Sequence, residues 1–208
     1  MARQSWNSYK KYEGRKTDFR DATHRFLIVS EGEKTEPNYF HGFKVPKDVI
    51  VDIEPKAGTH ISVVERAIEV RDAAPGEYDQ VWCVFDRDKD VDNPKNIQNF
   101  NEALALAKRQ GIQVAYTNDA FELWYLLHFN YHDTAISRKQ YGKLLTKHLG
   151  VKYEKGDAAM YTKLEAKMTT GISNAKKLLA TYDKPVPSKD DPSTTVHLLV
   201  EELLKFSE

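Results

Sequence analysis

Residues 25–36 read RFLIVSEGEKTE, and the reading of this stretch decides the fold. Arg25 to Ser30 is a short apolar run of the kind that forms a strand covered on both faces. It ends on Glu31 and Gly32, a carboxylate followed by a residue that lets the backbone turn tightly. The unit recurs at Gln80 to Phe85 (QVWCVF), a second buried strand that runs into Asp86-Arg87-Asp88-Lys89-Asp90. Val49 to Pro55 (VIVDIEP) and Ile112 to Tyr116 (IQVAY) add two further strands. Helical periods fall at Pro37 to Lys44, Ile61 to Ala74, Asn93 to Gln110 and Ala120 to Phe129. Strands alternating with helices predict an α/β fold, a mainly parallel sheet with helices on both faces. Beyond residue 134 the pattern predicts no strand, only helices at Ser137 to Leu149, Tyr161 to Tyr182 and Ser193 to Phe206. The chain therefore divides into a polar basic arm (1–24), an α/β core (25–133) and a basic helical extension packed on it (134–208).

With 40% hydrophobic residues in 208, the chain can bury a sizeable core, which excludes wholesale disorder. No apolar run approaches the roughly 18 residues of a spanning helix, and the start lacks a signal peptide's apolar stretch. A cytoplasmic protein without membrane contact is expected. The single Cys83 excludes an intramolecular disulfide or multi-thiolate metal site, and its apolar neighbours predict a buried strand residue. The formal net charge is zero, yet the charges are segregated: +4 over 1–25, −8 over 26–133, +7 over 134–180 and −3 beyond. Such asymmetry fits a polyanion partner as well as a solvated lysine-rich helix.

Three acidic clusters follow strands: Glu31 to Glu36, Asp86 to Asp90, and Asp119 with Glu122. Functional groups in open α/β sheets gather beyond the carboxyl ends of strands, so these clusters are expected to share one crevice. Mutually repelling carboxylates call for a cation, and oxygen ligands without thiolates favour Mg²⁺ or Mn²⁺. Asp86 and Asp88, two residues apart just past a strand, can hold one ion from the same side. Glu122 is the lone formal charge in AFELWYLLHFNYH (120–132), where a carboxylate is costly unless partnered or metal-bound. Glu33 and Glu36 read as ordinary surface turn residues, while Lys34 can meet a phosphate or simply face solvent.

Other chemistries fail on their motifs. The alternating Asp86, Asp88, Asp90 and Asp92 are no EF-hand, because Val91 and Ile97 occupy the glycine and glutamate positions. GEKT at 32–35 lacks the glycines of a Walker A loop. His128 and His132 have zinc-pair spacing without the intervening Glu, so a satisfied polar stripe is expected. No Gly-x-Ser-x-Gly elbow occurs.

Four ordered motifs carry a family resemblance: Glu31 to Tyr39 (EGEKTEPNY), Asp86-Arg87-Asp88, Phe121 to Phe129 (FELWYLLHF) and Pro192 to Val200 (PSTTVHLLV). Together they resemble the RloB family, over about residues 24–204. Such proteins occur in bacterial defence loci, and their core is similar to the TOPRIM fold. The resemblance implies Glu31 as acid or base, Asp86 and Asp88 as Mg²⁺ ligands with Glu31 beside them, and Glu122 as a further catalytic carboxylate. Lys89-Asp90 departs from the usual string after the Asp-x-Asp and leaves Asp90 without an assigned role.

The function expected from these readings is a divalent-metal-dependent nuclease acting on RNA or DNA in phage defence. Lys34, Lys139, Lys143, Lys147, Lys152 and Lys155 would hold the phosphates, with Tyr141, Tyr153 and Tyr161 positioned to stack bases. The alternative is a non-enzymatic sensor or adaptor that docks an ATPase partner. Topoisomerase activity is not expected of so short a chain.

Overall fold

A computed structural model describes residues 24–56, 58–87 and 94–207. Residues 1–23 of the basic arm and Asp88 to Asp92 lie outside these. The strands are β1 (His24–Ser30), β2 (Val49–Pro55), β3 (Gln80–Asp86), β4 (Gln113–Asn118) and β5 (Ser193–Thr194), in the order β2-β1-β3-β4-β5. The first four are parallel and β5 runs antiparallel to β4. This is the expected α/β architecture, a TOPRIM-like, mostly parallel sheet.

Period-2 alternation along β1 and β3 divides the core into two layers. Leu27, Val29, Cys83 and Phe85 face α2 (His60–Ala73) and α3 (Pro94–Arg109) through Val63, Val64, Phe100 and Ala103. Phe26, Ile28, Trp82 and Val84 face the other way, into a larger aromatic cluster. That cluster draws on α1 (Thr35–Phe40), α4 (Glu122–Leu127), α5 (Arg138–Leu149), α6 (Met160–Leu164), α7 (Met168–Leu179) and α8 (Val196–Leu204). The extension therefore shares its apolar interior with the sheet. Cys83 is buried, as its neighbours predict. Among the described residues no helix is long and apolar enough to cross a membrane.

Several element boundaries differ from the sequence reading. The first helix begins at Thr35, which puts Pro37 in its first turn, where an N–H would be unpaired anyway. It ends before Gly42, whose Cα packs against the Tyr161 ring so closely that a Cβ would collide with it. The helix expected over 120–129 is α-helical only across its middle; three-residue hydrogen bonds such as Leu123 N to Ala120 O and Phe129 N to Leu126 O tighten both ends. The helix expected over 161–182 breaks at a 3₁₀ turn, Glu165–Lys167, which buries no side chain. The expected absence of strands after 134 is wrong: Ser193 and Thr194 pair with Asn118 and Thr117. Two polar residues carry no hydrophobic period, so pattern reading takes them into the following helix.

Candidate active site

The parallel strands deliver their carboxyl ends to one edge of the sheet. Glu31 leaves β1 with its N–H on Val84 O at 2.9 Å, which holds it beside the end of β3. Asp86 ends β3, and its N–H donates to Glu31 Oε2 at 3.3 Å. Asp86 Oδ2 then accepts the Phe121 N–H at 3.1 Å, pinning the residue before Glu122 to the same place. Glu31, Asp86 and Glu122 thus converge, as their positions after strands predict. Asp88 and Asp90 lie outside the described residues.

Glu36 belongs to this cluster, against its reading as a surface turn residue. It is only 5% exposed, and its carboxylate lies against the Gly32 Cα, where a Cβ would collide with it. The glycine serves a close approach as well as a turn. Glu36 Oε2 and Asp86 Oδ1 are both buried without a hydrogen-bond partner.

Burial dominates the electrostatics. It pushes the Glu31 carboxyl up to about 7, with the charge of Glu36 adding and the Asp86 N–H and Arg138 opposing. Asp86 lies well above the usual carboxylate range through burial first, then through repulsion by Glu36, Glu122 and Glu31. Glu36 is raised for the same reasons, with Lys155 and Arg138 pulling the other way. These carboxyls lose the water that would stabilise their charge and face one another instead.

Sequence reasoning missed two supports. Arg138 opens α5 and turns back to the site, donating from Nη2 to Asp119 O at 3.1 Å, with Nε 3.7 Å from Asp119 Oδ1. His60 opens α2 and places Nε2 2.8 Å from Asp86 O, with Nδ1 3.1 Å from Asn99 Oδ1. Burial lowers the His60 pKa, while its contacts with the Asp86 carbonyl and the Asn99 side chain oppose that shift. Neither residue sits in a motif, and no local signal marks them.

Lys34 and Lys155 meet at a cleft of about 390 Å³, lined also by Gly32, Glu33, Thr35 and Glu36. Lys139, Lys143 and Lys147 are exposed at four-residue spacing on one face of α5, and Lys152 is exposed just beyond it. Tyr141 and Tyr161 are not stacking platforms. They are core residues, 0% and 5% exposed, and the Tyr153 hydroxyl is engaged by Glu122. His128 is buried with Nδ1 2.9 Å from Trp124 O, and Gly171 packs on its ring; its Nε2 and that of His132 have no hydrogen-bond partner, so that stripe is only partly satisfied.

Among the described residues no three His, Cys, Asp or Glu side chains already stand as a metal-holding group. The donor set nonetheless suits a hard cation. It is all oxygen, held in the charged form only at a cost, and includes two buried oxygens without partners.

The fold and these strand-end carboxylates define an α/β protein with an acidic site at the carboxyl edge of a parallel sheet. The model of the family described as RloB-like protein matches residues 26–203, and the chain belongs to that family. No curated protein and no solved structure matches it.

Proposed function

We propose that this protein is a divalent-metal-dependent phosphodiesterase that cleaves nucleic acid, RNA or DNA, in bacterial phage defence. The observation that carries this reading is the pair of buried, unpartnered oxygens, Asp86 Oδ1 and Glu36 Oε2, within a cluster of mutually repelling carboxylates. Asp86, Glu36 and Glu31 would hold Mg²⁺ or Mn²⁺, together with Asp88. The bound ion supplies charge neutralisation at the phosphate and a more acidic water. Glu31, whose carboxyl burial holds near 7 in the metal-free site, would also accept a proton from the attacking water. Arg138 offsets negative charge at Glu31, Glu36 and Asp86. Lys34 and Lys155, in the adjoining cleft, bind a neighbouring phosphate.

The direct test incubates purified protein with labelled RNA and DNA in Mg²⁺, Mn²⁺ or EDTA. Cleavage that requires the metal supports the reading. Metal-independent binding without cleavage of either substrate returns the protein to the sensor or adaptor class.

The exposed lysines make a separate prediction. Changing Lys34, Lys139, Lys143, Lys147, Lys152 and Lys155 to Gln should weaken binding of all sequences alike. It should also flatten the slope of log affinity against log salt, by about 0.7 per lost contact on single strands and about 0.9 on duplex DNA. A salt titration beside the parent checks this. An unchanged slope would show that these lysines are a solvated surface.

A further inference from the structure

Glu122 occupies the first position of α4 and is half-buried, facing two negative neighbours, Glu36 and Asp86. Repulsion alone would turn its carboxylate away from the cluster. One side chain opposes that motion: the Tyr153 hydroxyl donates to Glu122 Oε1 at 2.9 Å. Tyr153 is itself firmly placed on the segment between α5 and α6. Its N–H donates to Thr146 Oγ1 at 3.0 Å, and that hydroxyl donates to Gly142 O at 2.8 Å. Its ring lies over Gly142, where a Cβ would just reach van der Waals contact, and meets the buried Tyr125 ring edge-on at 6.5 Å. Tyr125 in turn donates from its hydroxyl to Thr35 O at 3.3 Å. Three residues past Tyr153, Gly156 O accepts the Asn38 side-chain N–H at 2.6 Å, which ties the segment to α1. The hydroxyl is therefore delivered to Glu122 by a chain of contacts anchored on both α1 and α5.

We infer that Tyr153 is a positioning residue of the carboxylate site, holding Glu122 turned toward Asp86 and Glu36. This rests on the metal-dependent reading above. A tyrosine of this kind acts on a cation only through the carboxylate it orients, here Glu122 as a further ligand beside Asp86 and Glu36, and losing such a support typically costs about 10–100-fold in metal affinity.

The test is Tyr153→Phe, which keeps the ring and its packing and removes one oxygen. Two measurements are made: a crystal structure of the metal-free variant, and Mn²⁺ affinity by calorimetry for the parent, Tyr153→Phe, Glu122→Gln and the double variant. The expected result is a Glu122 carboxylate turned away from Asp86, with Mn²⁺ affinity reduced about 10-fold or more in each single variant. The double variant should be no weaker than Glu122→Gln alone, because both changes remove the same interaction. Glu122 unmoved in Tyr153→Phe overturns the inference. So does an Mn²⁺ affinity within twofold of the parent where Glu122→Gln loses it. If the parent binds no Mn²⁺, the proposed function fails, and the position of Glu122 in Tyr153→Phe still decides the role of Tyr153.

Discussion

Asp86→Asn combined with Asp88→Asn is expected to abolish divalent-cation binding and lower cleavage by about 10³-fold or more, with the fold intact. Asp86 has two jobs that the substitution separates. Its Oδ2 accepts the Phe121 N–H, and an Asn side-chain oxygen can accept the same bond. Its Oδ1 is buried without a partner among repelling carboxylates, and that oxygen's charge is what a cation needs. Removing the charge relieves repulsion from Glu36, Glu122 and Glu31, so the metal-free variant should unfold no earlier than the parent. Calorimetry and circular dichroism check the two halves. Unchanged Mn²⁺ affinity would remove Asp86 and Asp88 from the site.

The second large effect is a pH dependence of stability in the absence of metal. Glu31 has an ordinary value of 4.5 and is pushed up to about 7 by burial in the folded protein. Below pH 4.5 both folded and unfolded chains carry the protonated form, and the site costs nothing. As pH rises through this window the unfolded chain ionises first, so stability falls until the folded carboxyl also ionises near 7. The full loss from this one group is about 3 kcal/mol. Urea unfolding in EDTA at pH 4.5 and pH 8 measures it, and Glu31→Gln should lose that much less between the two conditions. Saturating Mg²⁺ at pH 8 should restore about 3 kcal/mol when free metal is about 100-fold above its dissociation constant. Parent and Glu31→Gln with the same pH dependence would show that Glu31 is not under this strain.

The four parallel strands and two of the site's carboxylates were legible because their signals are local. Glu31 and Asp86 each follow an apolar run, and a parallel strand end is where an α/β sheet gathers its chemistry. Glu122 was legible as a charge in an apolar helix. Glu36 was not, because its burial depends on Gly32 making room and on α1 starting at Thr35. Tyr153 lies 31 residues from Glu122 and reaches it only because α5 packs against α4. Arg138 reads as one more cation in a basic extension until the fold turns it toward Asp119. Tyr141 and Tyr161 misled for the converse reason: aromatics among lysines suit base stacking, but helical packing had already claimed both rings for the core. Charge and periodicity report what a segment is; only tertiary contact reports what it faces.

The most direct test of the metal site is a crystal soaked in Mn²⁺ and measured at the manganese absorption edge. The expected result is an anomalous peak within coordination distance of Asp86 Oδ1, with Glu36 and Glu31 closing on it and Glu122 turned inward. A fully occupied Mn²⁺ elsewhere on the molecule, with no peak at Asp86, would contradict it.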